Sequence, residues 1–199
     1  MNDTTPAIAT AQDGYGARAV LVFVALLWGV NYVATKVALA AFPPWTFRTL
    51  SYAAGAGLLI LWARFTATRL QVAKPGDRVH LVVSGLFTCA GFGAFSALAL
   101  LYTSTGRAAI CAYTMPIWVA LLGRVVLKEA LTPERSVALV LCGIGLSVLL
   151  WPLVSEGVSL GALFAIGSAI SWAIGTIYLK WARVTAPSLA VASWQVLAG

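Results

Sequence analysis

The sequence predicts an all-α polytopic membrane protein, and three observations carry that prediction. Hydrophobic residues make up 61% of the 199-residue chain and charged ones only 10%, whereas soluble domains hold roughly 45–50% and about 25%. The apolar residues fall in continuous runs near the roughly 20 residues a spanning helix requires. Those runs lack the period-two alternation of a membrane β-barrel, the other structure that satisfies its own backbone in lipid.

Seven segments follow in order. Residues 1–17 are polar, include Gly14 and Gly16, and read as a disordered cytoplasmic tail. The first apolar segment covers 18–41. Ala38-Leu39-Ala40 resembles a signal-cleavage site, but the run before it is longer than a secretory core and contains Asn31 and Lys36, so cleavage is not expected. Pro43-Pro44 separates this segment from 45–66, and a basic connector with Lys74-Pro75-Gly76-Asp77 leads to 79–102. The fourth segment, 106–126, contains Pro116, which lies 13 residues before Glu129 and so roughly 20 Å along a helix, near the bilayer middle. It is expected to kink the helix and free a backbone carbonyl. Thr132-Pro133-Glu134 supplies an N-cap, a first-position proline and a first-turn acid, which starts the fifth segment, 134–152. The sixth covers 158–182, and a seventh runs from 187 to the end.

The net charge of +7 does not point to nucleic acid, because the basic residues sit in the short connectors. There they set orientation. A cytoplasmic N-terminus puts ten of the 13 lysines and arginines at cytoplasmic ends and leaves only Lys36, Arg48 and Arg107 elsewhere. The connector at Glu156 then lies outside. Cys89, Cys111 and Cys142 are odd in number and scattered in apolar runs, which suits packing and neither a disulfide framework nor a zinc site.

A shift of 144 maps Trp28 onto Trp172, Lys36 onto Lys180 and Pro43 onto Pro187. Five segments separate the starts of the two copies, so the second copy is inserted upside down. The predicted domains are a complete first five-helix repeat, 18–152, and the start of an inverted second repeat, 158–199, which stops inside the seventh segment. Inverted repeats are a transporter signature, with the substrate site near the midplane between them.

Trp28, Asn31, Tyr32, Thr35 and Lys36 fall on one helical stripe. Polar atoms on a spanning helix avoid lipid, so this stripe is expected to border a cavity, although the long stem of Lys36 also suits snorkelling to the outer interface. Arg48 and Tyr52, one turn apart, read either as an interfacial anchor or as a clamp for a carboxylate or phosphate. Ser168, Trp172 and Thr176 form the matching stripe of the sixth segment, beside a small-residue edge of Gly167, Ser171 and Gly175 suited to close helix packing. Tyr113 and Trp118, flanking Pro116, either stack on a substrate or pack.

These motifs together support a family assignment. "LLWGVNYVATKVAL", "FPPWTFRTLSY", "YTSTGRAAICAYTMPIWVALLGRVVLKEALTPER", "LCGIGLSVLL" and "SAISWAIGTIYLKWA" resemble the EamA-like branch of the drug/metabolite transporter superfamily over nearly the whole chain after residue 18. The resemblance implies ten helices in two inverted five-helix repeats, a central cavity, alternating access, and export or exchange of small metabolites such as amino acids or drug-like compounds. Its partners are then the lipid bilayer and a small-molecule substrate, with no cofactor, metal or nucleic acid and with a homodimer left open. The location is a plasma membrane, the inner membrane in a bacterium. The alternative is a non-transporting scaffold or a half-transporter that needs a partner chain.

All six acids fall in the tail, the connectors or helix ends. The chain therefore departs from the small multidrug antiporters, which rely on a buried glutamate in the first helix. An intramembrane enzyme is not expected either. His80 is the sole histidine and reads as a solvated interface residue, and no nucleophile-elbow, zinc-protease or phosphate-loop motif occurs.

Overall fold

The computed structural model describes residues 12–199 except positions 69, 73, 131, 156 and 158, with only the backbone described at 12–15 and 152–155. Residues 1–11 of the expected tail, the basic Arg69, Leu131 and the connector residue Glu156 lie outside the described residues. All the described secondary structure is helical: α1 (Gln12–Ala41), α2 (Pro44–Phe65), α3 (Pro75–Gly85), a π-helical segment (Leu86–Gly91), α4 (Phe92–Tyr102), α5 (Thr105–Ala112), α6 (Met115–Val126), α7 (Pro133–Ser155), α8 (Leu160–Ala182) and α9 (Ser188–Ala198). α1 is described from Gln12 onward, so residues 12–17, expected in the disordered tail, are helical.

Prolines set several starts. Pro44, Pro75 and Pro133 each sit at the first position of a helix, where the missing N–H costs nothing. Thr132 caps α7, its Oγ1 accepting from the Arg135 N–H at 3.4 Å. Five helical stretches among the described residues are long and apolar enough to cross a membrane: Gly16–Ala41, Pro75–Tyr102, Thr105–Val126, Pro133–Trp151 and Leu160–Ala182. The 22-residue α2 has the length, but Arg48, Arg64, Tyr52 and its glycines dilute it below the others. The described part of α9 covers 11 residues, Ser188–Ala198.

The fourth segment breaks where Pro116 was expected to bend it. A turn at Tyr113–Thr114 separates α5 from α6, and Pro116 stands in the first turn of α6. Nearby, the Cys111 carbonyl accepts from the Thr114 hydroxyl at 2.7 Å, so that acceptor is occupied within the chain.

The helix at the centre of the bundle is α8, which packs against α3, the π segment, α4, α5 and α6. Half of its apolar stretch (50%) is buried, against 11% for α1. Glycine and serine make this approach possible. A Cβ on Gly175 would lie 2.6 Å from Thr88 and 2.8 Å from the Ser84 carbonyl, and one on Gly161 would lie 2.6 Å from Thr103. Ser171 Oγ donates to the Phe87 carbonyl at 2.8 Å, and Ser84 Oγ donates to the Gly175 carbonyl at 3.0 Å. The π segment widens the third span where α8 presses on it, and its carbonyls take outside donors: Ser171 at Phe87, and Tyr52, whose hydroxyl donates to Cys89 at 2.6 Å.

Contacts between connectors show which ends lie together. The Thr185 N–H donates to Asp77 Oδ2 at 3.3 Å, Trp194 Nε1 donates to the Leu70 carbonyl at 3.2 Å, and Lys180 pairs with Glu129. The α2–α3, α6–α7 and α8–α9 connectors therefore share one end of the bundle. Gly161 meets Thr103 at the opposite end.

Candidate functional site

The buried line of α1 runs Trp28, Tyr32, Thr35 and Leu39, a spacing of three and four that keeps one face toward α4 and α5. Trp28 lies against Phe92 with ring centroids 6.3 Å apart, while Tyr32 is 4% and Thr35 2% exposed. Asn31, about 100° round the helix from Tyr32, is exposed and makes no side-chain hydrogen bond among the described residues. Lys36 takes a third course beyond the two expected. Its amine donates to the Leu100 carbonyl, so it serves the open C-terminal end of α4.

Arg48 turns inward from α2. Its Nη2 donates to Ser96 Oγ at 2.7 Å, and Ser96 donates in turn to the Gly93 carbonyl at 3.1 Å. The guanidinium lies 5.6 Å from the Phe47 ring centroid and within electrostatic reach of Tyr32 and Tyr52. Two buried polar atoms in this neighbourhood have no hydrogen-bond partner, Arg48 Nε and the Tyr32 hydroxyl. The acids with described side chains, Asp77, Glu129 and Glu134, belong to connectors or helix starts at the other end of the bundle. Tyr52, by contrast, is committed to the Cys89 carbonyl of the π segment.

The aromatic residues of α6 and α8 meet the same region from the far side. Trp118 and Trp172 pack against the apolar core that contains Tyr32, Cys111 and Met115. The Trp118 indole donates to Thr114 Oγ1 at 3.1 Å, which fixes the ring across the α5–α6 turn. Tyr113 is 46% exposed yet within electrostatic reach of Tyr32. Ser168 is wholly buried and donates to the Ala165 carbonyl at 2.6 Å, so it belongs to the packed interface. Thr176 donates to the Trp172 carbonyl at 2.9 Å and lines a separate cavity of about 510 Å³ between α6, α7 and α8.

The structure thus gathers Trp28, Tyr32, Trp118 and Trp172 around one core, with Arg48 joined to α4 and Tyr52 to the π segment. It leaves Asn31 on the uncovered side. Sequence reasoning missed Ser96 and Phe92. Ser96 is the one hydroxyl in the run Phe92–Leu101, and a lone hydroxyl in lipid-embedded sequence is itself a signal of a polar partner. His80, read as solvated, is half-buried, shares a 2.7 Å hydrogen bond with the Tyr178 hydroxyl and meets the Trp181 ring edge-on. Among the described residues no cluster of histidine, cysteine or acid could hold a metal ion, and the three cysteines are free thiols.

The model of the EamA-like transporter family matches residues 17–151. The chain belongs to this family. Among its curated relatives are two uncharacterized transporters of Bacillus subtilis (strain 168). YvbV is 29% identical over 182 residues, covering 90% of this chain and 58% of the relative, and YoaV is 25% identical over 183 residues, covering 90% and 62%. A probable amino-acid metabolite efflux pump of Salmonella typhimurium is 30% identical over 193 residues, covering 94% and 60%. The chain thus spans about three-fifths of the length of these relatives. No solved structure matches it. For a member of this family the five long apolar helices mean a multi-pass protein of the plasma membrane.

Proposed function

We propose that this EamA-like transporter exports, by alternating access, small metabolites that carry a carboxylate, amino acids being the leading class. The observation that carries the reading is Arg48: a guanidinium turned into the bundle, with Nε and the neighbouring Tyr32 hydroxyl unpaired and no ion pair among the described residues. A charge in the bilayer costs about 2.5–3.5 kcal/mol on insertion scales. A carboxylate brought by the cargo offsets that cost through charge-assisted hydrogen bonds of about 1.5–3 kcal/mol each. Trp28, Trp118 and Trp172 then enclose the apolar part of the cargo.

Two further features support the wider architecture of a cytoplasmic N-terminus and inverted repeats, 18–152 and the start of a second at 158–199. The basic connectors gather at one end, and the repeat partners Lys36 and Lys180 sit at opposite ends, one serving α4 and the other paired with Glu129. A half-transporter is the second reading, favoured by the uncovered α1, whose repeat counterpart α8 is far more deeply packed. Further helices or a second copy of the chain would cover it.

The test is efflux of radiolabelled amino acids and other organic acids from cells expressing the complete gene, against empty cells. Export is expected to exceed the control and to fall at least tenfold with Arg48→Gln and with Trp172→Ala. Normal export by both variants at equal protein levels overturns the site assignment, and export no greater than the control overturns the carrier reading.

A further inference from the structure

The 510 Å³ cavity between α6, α7 and α8 is separate from the core around Tyr32 and Arg48, and its chemistry is different. Its volume is within the roughly 300–1,000 Å³ range of small-ligand sites. From Pro116 at one end to Arg124 at the other it follows α6 for about 12 Å, eight residues at 1.5 Å each. The walls between are apolar and small, with Ala120 on α6, Ala138 and Leu139 on α7 and Ile177 on α8. Three cations, Arg124, Arg135 and Lys180, stand at the mouth beside a single acid, Glu129. Glu129 is taken by Lys180, and the Arg124 guanidinium reaches only the Glu129 carbonyl, at 3.4 Å. A positive φ at Lys128, 56°, folds the chain back so that the Glu129 N–H reaches the Gly123 carbonyl at 3.3 Å, which holds this rim in place.

An apolar slot under a cationic rim matches an acyl chain under a phosphate. A small polar metabolite would leave the slot's length unused. The outer wall is α7, whose apolar stretch is largely uncovered, Leu146 being its buried residue. Basic pockets between spanning helices are a recognised way of binding acidic lipid headgroups, and guanidiniums meet phosphate oxygens in a paired geometry.

We propose that this slot is a binding site for one anionic phospholipid, with the phosphate on Arg124 and Arg135 and one acyl chain between α6 and α7. The lipid fastens the sparsely packed α7 to the rest of the bundle. It is a resident and not the cargo, so the site stands whether or not the carrier reading does.

The test is native mass spectrometry of the full-length protein released from bilayers of equal phosphatidylglycerol and phosphatidylcholine. Wild-type protein is expected to retain one phosphatidylglycerol in preference. Arg124→Gln and Arg135→Gln are each expected to lower that preference roughly fivefold, which is about 1 kcal/mol, and Ala138→Trp to remove the bound lipid by filling the slot. Arg64→Gln, the same charge loss at the end of α2 and outside the slot, is expected to change nothing. Arg135 is exposed and on the first turn of α7, so its variant remains informative if Arg124→Gln fails to fold. A lipid ratio equal in wild type and in Arg135→Gln overturns the proposal. So does thermal protection by inorganic phosphate as strong as that by phosphatidylglycerol, since the ligand would then be a free anion.

Discussion

Tyr32 and Lys36 sit one helical turn apart on α1 and differ in what their polar atoms meet. The Tyr32 hydroxyl is buried without a partner, so Tyr32→Phe removes a group that contributes no internal bond. Because an unsatisfied buried group costs about 1–3 kcal/mol, the variant is expected to melt at the same temperature as wild type or higher, in a detergent thermal-shift assay. Its transport KM for a carboxylate cargo is expected to rise. Lys36→Met has the opposite signature, since it strips a cation from the C-terminal carbonyls of α4. It is expected to cost about 1 kcal/mol in stability with KM unchanged, measured by the same two assays. The sequence put both residues on one stripe. Spacing alone could not separate them, because a stem as long as lysine's lets the amine leave the face on which its Cα lies.

At the scale of elements, close packing is concentrated on one edge of α8. Gly175→Val places a side chain against Thr88 and the Ser84 carbonyl, where even a Cβ would be 2.6–2.9 Å from its neighbours. The expected loss is about 1–3 kcal/mol or more, read as a fall in melting temperature. Gly143→Ala on α7, with nothing within 4 Å, is the matched substitution expected to cost nothing. The Gly167, Ser171 and Gly175 edge was legible in the sequence because small residues four apart leave a groove into which another backbone fits. Several helix boundaries were legible too, set by the prolines at 44 and 133 and the apolar run lengths, whereas the break before Pro116 was read only as a kink. The π segment was not. Nothing in Leu86–Gly91 announces a wider turn; the outside donors Tyr52 and Ser171 that take its carbonyls come from α2 and α8, 37 and 84 residues away. Ser96 was missed for a related reason, since its role depends on an arginine from another helix.

For the molecule as a whole, the orientation proposed from charge is open to direct measurement. In a background with Cys89, Cys111 and Cys142 replaced by alanine, a cysteine at Gly157 is expected to react with an impermeant maleimide in intact cells. A cysteine at Lys74 is expected to react only after the cells are opened, and the reverse pattern would invert the assignment. The division of the bundle into a packed centre and bare margins could not be read from hydropathy, because lipid-facing and protein-facing surfaces are equally apolar. It follows from where side chains are absent. The first five spans touch one another sparingly, and it is α8 that binds the third and fourth together. A nascent chain that has left the ribosome only as far as residue 155 therefore has its spans inserted but little to hold them in register. Assembly of this half of the protein waits on translation of the sixth span, and until then the earlier ones stand open to the membrane's quality-control proteases.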